Sequence, residues 1–159
     1  MRYLDLPIRT GRPFELAVSL EPEDDPINDR PRLYEHGWNL ANPWEVAKTP
    51  ESYQAYIALT RAEISCPKPI FRELRTGWIS DRSVCFLASG RPVLAEDTGF
   101  SDFLPGRDGM VPFHDMDEAV AAVARIDADY DWHSRAAREL AEDVFDSRKC
   151  LAPMVAACG

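Results

Sequence analysis

Residues 92–95 read PVLA, an apolar run without a polar face, set between Ser89-Gly90 and the polar stretch EDTG. A strand that alternates apolar and polar residues leaves one face in water, whereas this run has to be covered on both. Helices packed on a parallel sheet meet that requirement, so the flanking sequence should supply helices. Upstream, Ser80 stands as an N-cap before DRSVCFLAS, a short helix closed by Gly90 and prevented from continuing by Pro92. Downstream, residues 109–113 form a second short apolar strand. Met116, Ala119, Val120, Val123 and Ile126 then follow at helical spacing, capped by His114 or Asp115.

The rest of the chain extends this alternation. Thr49 as N-cap and Pro50 at the first helical position open a helix with Tyr53, Tyr56, Ile57 and Thr60 on one face, ending near Glu63. A short extended piece, residues 64–66, comes next. Residues 133–144 make a helix buried through Ala137, Leu140, Ala141 and Val144, with His133 capping or packing on it. SRKCLAPMVAAC is a last helix that Pro153 interrupts or delays. Residues 1–48, rich in Pro and acid, read as loop around one strand, FELAVSL. At 159 residues and 45% hydrophobic, the expectation is one α/β domain over 1–159, with 1–48 its loop-rich part.

Charge narrows the function. A net charge of -9, from 18 Lys and Arg against 27 Asp and Glu, excludes the basic face of a nucleic-acid or membrane-surface binder. Yet Lys68, Arg72, Arg75, Arg82 and Arg91 face only Glu73 and Asp81 in the same segment, a local basic strip that points to a small anionic ligand. The four cysteines show no CxxC spacing and no disulfide framework, so Cys66 and Cys85 are expected as reduced, buried thiols. The N-terminus is not a signal peptide and no run approaches membrane-span length, so a cytoplasmic protein is expected.

In open α/β sheets, ligands bind beyond the carboxyl ends of strands, where loops lead into helix N-termini. Two places qualify. In GWISDRS, Ser80, Asp81 and Arg82 open a helix whose N–H groups and partial positive charge favour phosphate, and Arg82 adds a planar fork. In EDTGFSD, Gly99 allows close backbone approach after the 93–95 strand. The alternative is that Ser80 is only a cap and Arg82 pairs with Asp81 or another acid.

The stretch from Thr76 to Ile126, with SDRS, LASGRPV, DTGF, then LP, a glycine and a helix beginning near DEA, resembles the donor-binding half of GT-B glycosyltransferases. The similarity is to the branch of the CgeB-like spore-maturation glycosyltransferases, and YEHGWNL, YQAYIALTRAEIS and DADYDWHSRAARELAEDVFDSRKCL extend it over residues 33–151. The resemblance implies a single Rossmann-like domain binding a nucleoside-diphosphate sugar. It places Ser80, Asp81, Arg82 and Ser83 beside the donor, and Asp97, Thr98, Gly99 and Phe100 in the same cleft. Arg75 and Trp78 are further candidates; Trp78 would stack on a ring or sit in the core.

The sequence departs from the family in two respects. Registering GTPVV of the pattern EGFGLPLLEAMACGTPVV on GRPVL puts its two glutamates at Gly77 and Cys85, neither of them acidic. A complete enzyme of this kind also has a second Rossmann-like half that supplies acceptor contacts, so no catalytic base is named. Transfer would need a partner chain, a longer parent protein or self-association, and a homodimer is expected. The other reading is a catalytically silent binding or assembly module.

Other chemistries find less support. His36, His114 and His133 lack ligand spacing, so no zinc or other metal is expected. GRPVLAEDTGF matches neither a dinucleotide fingerprint nor a Walker loop, so no nicotinamide cofactor or ATP is expected. A Cys85/His nucleophilic pair has no supporting motif. The acidic runs at 21–25 and 127–131 lack EF-hand spacing and read as solvated surface.

Overall fold

The computed structural model describes residues 2–20, 28–104 and 108–158. The acidic run at 21–25, and Pro105 and Gly106 of the family-like stretch, lie outside the described residues. The fold is α/β, with two parallel sheets flanked by helices. The chain divides into two compact units, Met1–Leu59 and Thr60–Gly159, where the sequence reading expects one domain.

The first unit is not the loop-rich segment expected of residues 1–48. It holds α1 (Leu6–Thr10), β1 (Phe14–Ala17), α2 (Asp29–Glu35), β2 (Trp38–Ala41), α3 (Pro43–Val46) and α4 (Pro50–Leu59). Three of its described prolines start helices. Pro7 and Pro43 occupy first-turn positions, where the missing N–H costs nothing. These helices span only four to seven residues, too few for a 3.6-residue period to show. β1 and β2 pair in parallel with Phe14 opposite Trp38, whose rings tilt at 60° with centroids 5.4 Å apart. Trp38 is buried, and its Nε1–H donates to the Leu4 carbonyl at 2.7 Å. The cap expected at Thr49 is reciprocal: Thr49 Oγ1 accepts from Ser52 N–H at 3.2 Å, and Ser52 Oγ accepts from Thr49 N–H at 3.0 Å. α4 stops at Leu59, four residues short of the expected end, because Glu63 is drawn into strand pairing with Val93.

The second unit is a three-stranded parallel sheet in the order β3 (Glu63–Ser65), β4 (Val93–Glu96), β5 (Met110–Phe113). The wholly apolar run thus lies in the central strand, and all four β4 residues are buried. α5 (Pro69–Glu73) and α6 (Asp81–Ala88) link β3 to β4, while a 3-10 turn at Phe100–Asp102 lies on the way to β5. α7 (Met116–Ala128), α8 (Tyr130–Val144) and α9 (Ser147–Cys158) complete the unit. Of the two expected caps for α7, Asp115 serves, its Oδ1 accepting from Glu118 N–H at 2.9 Å. α8 begins three residues before His133, because Asp129 caps it through Trp132 N–H at 3.2 Å. His133 is buried and packs, its Nδ1–H donating to the Asp108 carbonyl at 2.6 Å. Pro153 sits inside a continuous α9 rather than delaying it.

The four cysteines are free, but the burial expected of Cys66 and Cys85 is overturned: both are exposed. α6 buries Ser83, Phe86 and Leu87, which turns Cys85 outward, and Cys66 lies just past the end of β3. Among the described residues no helix is long and apolar enough to cross a membrane.

Gly109 packs directly against the backbone of α8. A Cβ there would lie 2.3 Å from Ala137 Cα, in the backbone of α8. Gly109→Ala must push α8 off the sheet edge and is expected to cost about 1–3 kcal/mol. Urea unfolding checks this, and an unchanged midpoint would contradict it.

Candidate functional site

Two loops meet beyond the carboxyl end of β4. The first runs from Leu74, which ends α5, to Ser80, which precedes α6; the second follows Glu96. Gly77 N–H donates to the Thr98 carbonyl at 2.8 Å, and Thr98 Oγ1–H donates to the Trp78 carbonyl at 2.7 Å. Gly99, at φ 98°, lies so close that a Cβ would stand 3.2 Å from the Arg75 carbonyl. Arg75 is itself left-handed at φ 46° and reaches Asp102 at 2.7 Å. Trp78 stacks on Phe71 with centroids 4.9 Å apart and planes 10° from parallel, leaving about a third of its surface exposed. Arg75, Trp78, Thr98 and Gly99, all singled out from sequence, are therefore joined in one constellation.

Gly77, where the resemblance registers a glutamate, is set by its own loop. It sits at φ 71°, and a Cβ would come within 2.9 Å of Phe103 Cε1. A carboxylate at this position would clash with that ring and strain the backbone.

The residues expected at the α6 N-terminus have divided roles. Ser80 occupies the N-cap position but is buried and makes no cap hydrogen bond. Asp81 Oδ1 instead accepts from Arg82 N–H at 2.9 Å. Arg82 Nε–H donates to buried Glu63 and not to Asp81, which decides between the two partners left open by the sequence. Ser83, Thr98 and Phe100 are almost wholly buried and so support the loops from beneath. Arg75, Asp81 and Arg82 are exposed.

Sequence reasoning missed the carboxylates that organise this edge. Glu63 and Glu96 are buried side chains, one paired with Arg82 and the other with Arg72 Nη1 at 2.9 Å. Much of the basic strip is thus internal counter-charge. Burying a carboxylate is costly without such a partner, which explains why these arginines are needed even where no ligand is bound.

Asp97 is the third buried carboxylate. It accepts from Gly99 N–H at 2.9 Å, from Ser101 N–H at 3.4 Å and from Ser101 Oγ–H at 2.7 Å. Its Oδ2 also lies 3.3 Å from Nε2 of His114, whose Nδ1 meets Glu118 Oε2 at 2.8 Å. Burial pushes the Asp97 carboxyl up, but the Ser101 and Gly99 hydrogen bonds and the His114 charge outweigh it and hold the carboxyl below its ordinary value. The Glu118 hydrogen bond, followed by the charges of Glu118 and Asp97, raises the His114 pKa despite partial desolvation. His114, set between two carboxylates, ties the 97–102 turn to β5 and the first turn of α7. The signal for it was legible as His114 one residue past a buried strand and four before Glu118.

Among the described residues no group of three or more His, Cys, Asp or Glu side chains is arranged to hold a metal ion. No protein-family model, curated protein or solved structure matches the chain.

The two shifts give a pH window. The His114 contribution to stability is complete below the unfolded imidazole pKa of about 6.5 and is lost as pH rises through the higher folded value. The Asp97 contribution is complete above the unfolded pKa of about 3.9 and is lost as pH falls through its lower folded value. NMR titration should place the His114 midpoint above about 6.5, and Glu118→Gln should lower it. A wild-type midpoint at or below that value, or one unmoved by Glu118→Gln, contradicts the bridge.

Proposed function

We propose that the chain is a glycosyltransferase-like α/β module that binds a nucleoside-diphosphate sugar at the carboxyl edge of its three-stranded sheet. The observation that carries this reading is the pinning of the 74–80 and 97–104 loops to each other through Gly77, Trp78 and Thr98. It supports a rigid rim beside a helix N-terminus whose N-cap serine makes no cap bond. The diphosphate would meet the N–H groups at the start of α6. Arg82, half exposed while bound to Glu63, would add charge from the side. Sugar transfer would draw on an acceptor-binding half and a general base from outside these residues.

A second reading, a catalytically silent binding or assembly module, draws on one specific observation. The positions registered with the family's glutamates are Gly77, whose left-handed backbone strains any side chain, and Cys85, which faces solvent.

Calorimetric titration with UDP-, GDP- and TDP-sugars tests the first reading. Binding is expected, and Asp81→Asn should tighten it about threefold or more by removing a like charge beside the phosphates. No heat with any donor, or an unchanged affinity in Asp81→Asn, counts against it. Glycosyl transfer or donor hydrolysis by the purified chain would instead eliminate the silent module.

A further inference from the structure

Trp78 and Phe103 present an aromatic surface on the joined loops. The Trp78 indole is covered on one face by Phe71, at 4.9 Å and 10° from parallel, so the exposed part of its surface belongs to the other face and the edges. Phe103, more than half exposed, stands against Gly77, the residue before Trp78. The backbone beneath the indole is held at both ends: Trp78 N–H donates to Thr76 Oγ1 at 3.3 Å, and the Trp78 carbonyl accepts from Thr98 Oγ1–H at 2.7 Å. A ring backed on one face and anchored in this way is a platform.

The same two loops carry an open polar pair. Asp102 directly precedes Phe103, and Arg75 lies two residues before Gly77; both side chains are more than half exposed. Among the described residues they meet through a single contact, Arg75 Nη2–H to Asp102 Oδ2 at 2.7 Å. That leaves Asp102 Oδ1 and the other guanidinium N–H groups able to bond outward. A close pair of opposite charges exerts little net field, yet it offers donors and acceptors side by side.

We propose that this surface binds a neutral saccharide, with the C–H face of one pyranose ring on Trp78 and its hydroxyls bonded to Arg75 and Asp102. Sugar hydroxyls are uncharged and both donate and accept, which is the combination the ion pair can satisfy, while the C–H face of the ring needs an apolar partner. A phosphate-bearing ligand would gain nothing from the Asp102 carboxylate, which sets this site apart from the N-terminus of α6. The inference therefore stands whether or not the chain binds a nucleotide sugar.

NMR titration of the full chain with maltohexaose, cellohexaose and chitohexaose, followed by the tryptophan indole N–H signals, tests this. At least one of the saccharides should move the Trp78 signal. Trp78→Ala should weaken that binding about tenfold and Asp102→Ala about threefold, with circular dichroism unchanged. Trp44→Ala and Trp132→Ala, at exposed tryptophans on other elements, should leave it as it is. Should Trp78→Ala lose its fold, Asp102→Ala decides. The proposal is overturned if none of the saccharides moves the Trp78 signal, including the case in which uridine alone does and the platform is a nucleobase seat. Saccharide binding that survives unchanged in either folded variant overturns it as well.

Discussion

Thr98 holds the candidate site together by bonding in both directions across two loops. Its carbonyl accepts from Gly77 N–H and its hydroxyl donates to the Trp78 carbonyl, so a residue following β4 dictates the backbone before α6. Because Thr98 is almost wholly buried, these bonds form in a medium of low polarity, where leaving either partner unmet is costly. The close approach of Gly99 to Arg75 and the left-handed turns at Arg75 and Gly77 all follow from that seam. What faces outward, chiefly Trp78, Phe103 and the first turn of α6, is positioned by what lies beneath it.

Around this seam the sheet buries three carboxylates, and each recruits a positive or hydrogen-bonding partner from a different element. Arg82 of α6 meets Glu63, Arg72 of α5 meets Glu96, and Asp97 gathers its own turn and His114. Such pairs are weak evidence for stability, since an apolar replacement of both partners can be as stable. They do fix geometry. Each pair links a helix, or a residue just past a strand, to one position at the sheet, and their combined effect is a single arrangement of the rim. An arginine cluster in an acidic protein thus has two readings, anion binding and internal neutralisation, and here one side chain can serve both.

Much of the second unit was legible because its signals are local. The unbroken apolar run, the Ser80-to-Gly90 helix and the acidic cap at Asp115 each occupy a few consecutive residues. The partners of the arginines were not legible, because Glu63 lies 19 residues from Arg82 and Glu96 lies 24 from Arg72. Only the sheet brings them together. The first unit was not legible for a different reason: helices of four to seven residues, two of them opened by prolines, look like loop to any rule based on periodicity. Cys85 stands among apolar neighbours in sequence, yet a helix turns about 100° per residue and separates it from the buried Phe86 and Leu87, while Cys66 lies beyond the last paired residue of β3.

Gly77 shows how a local departure and a tertiary contact can be one fact. Read as sequence, it is a position where a glutamate is absent. In the fold it is a left-handed residue lying against the Phe103 ring, in a loop that Thr98 has drawn close. A glutamate here would meet the left-handed backbone and the Phe103 ring at once, so residue and contact belong together.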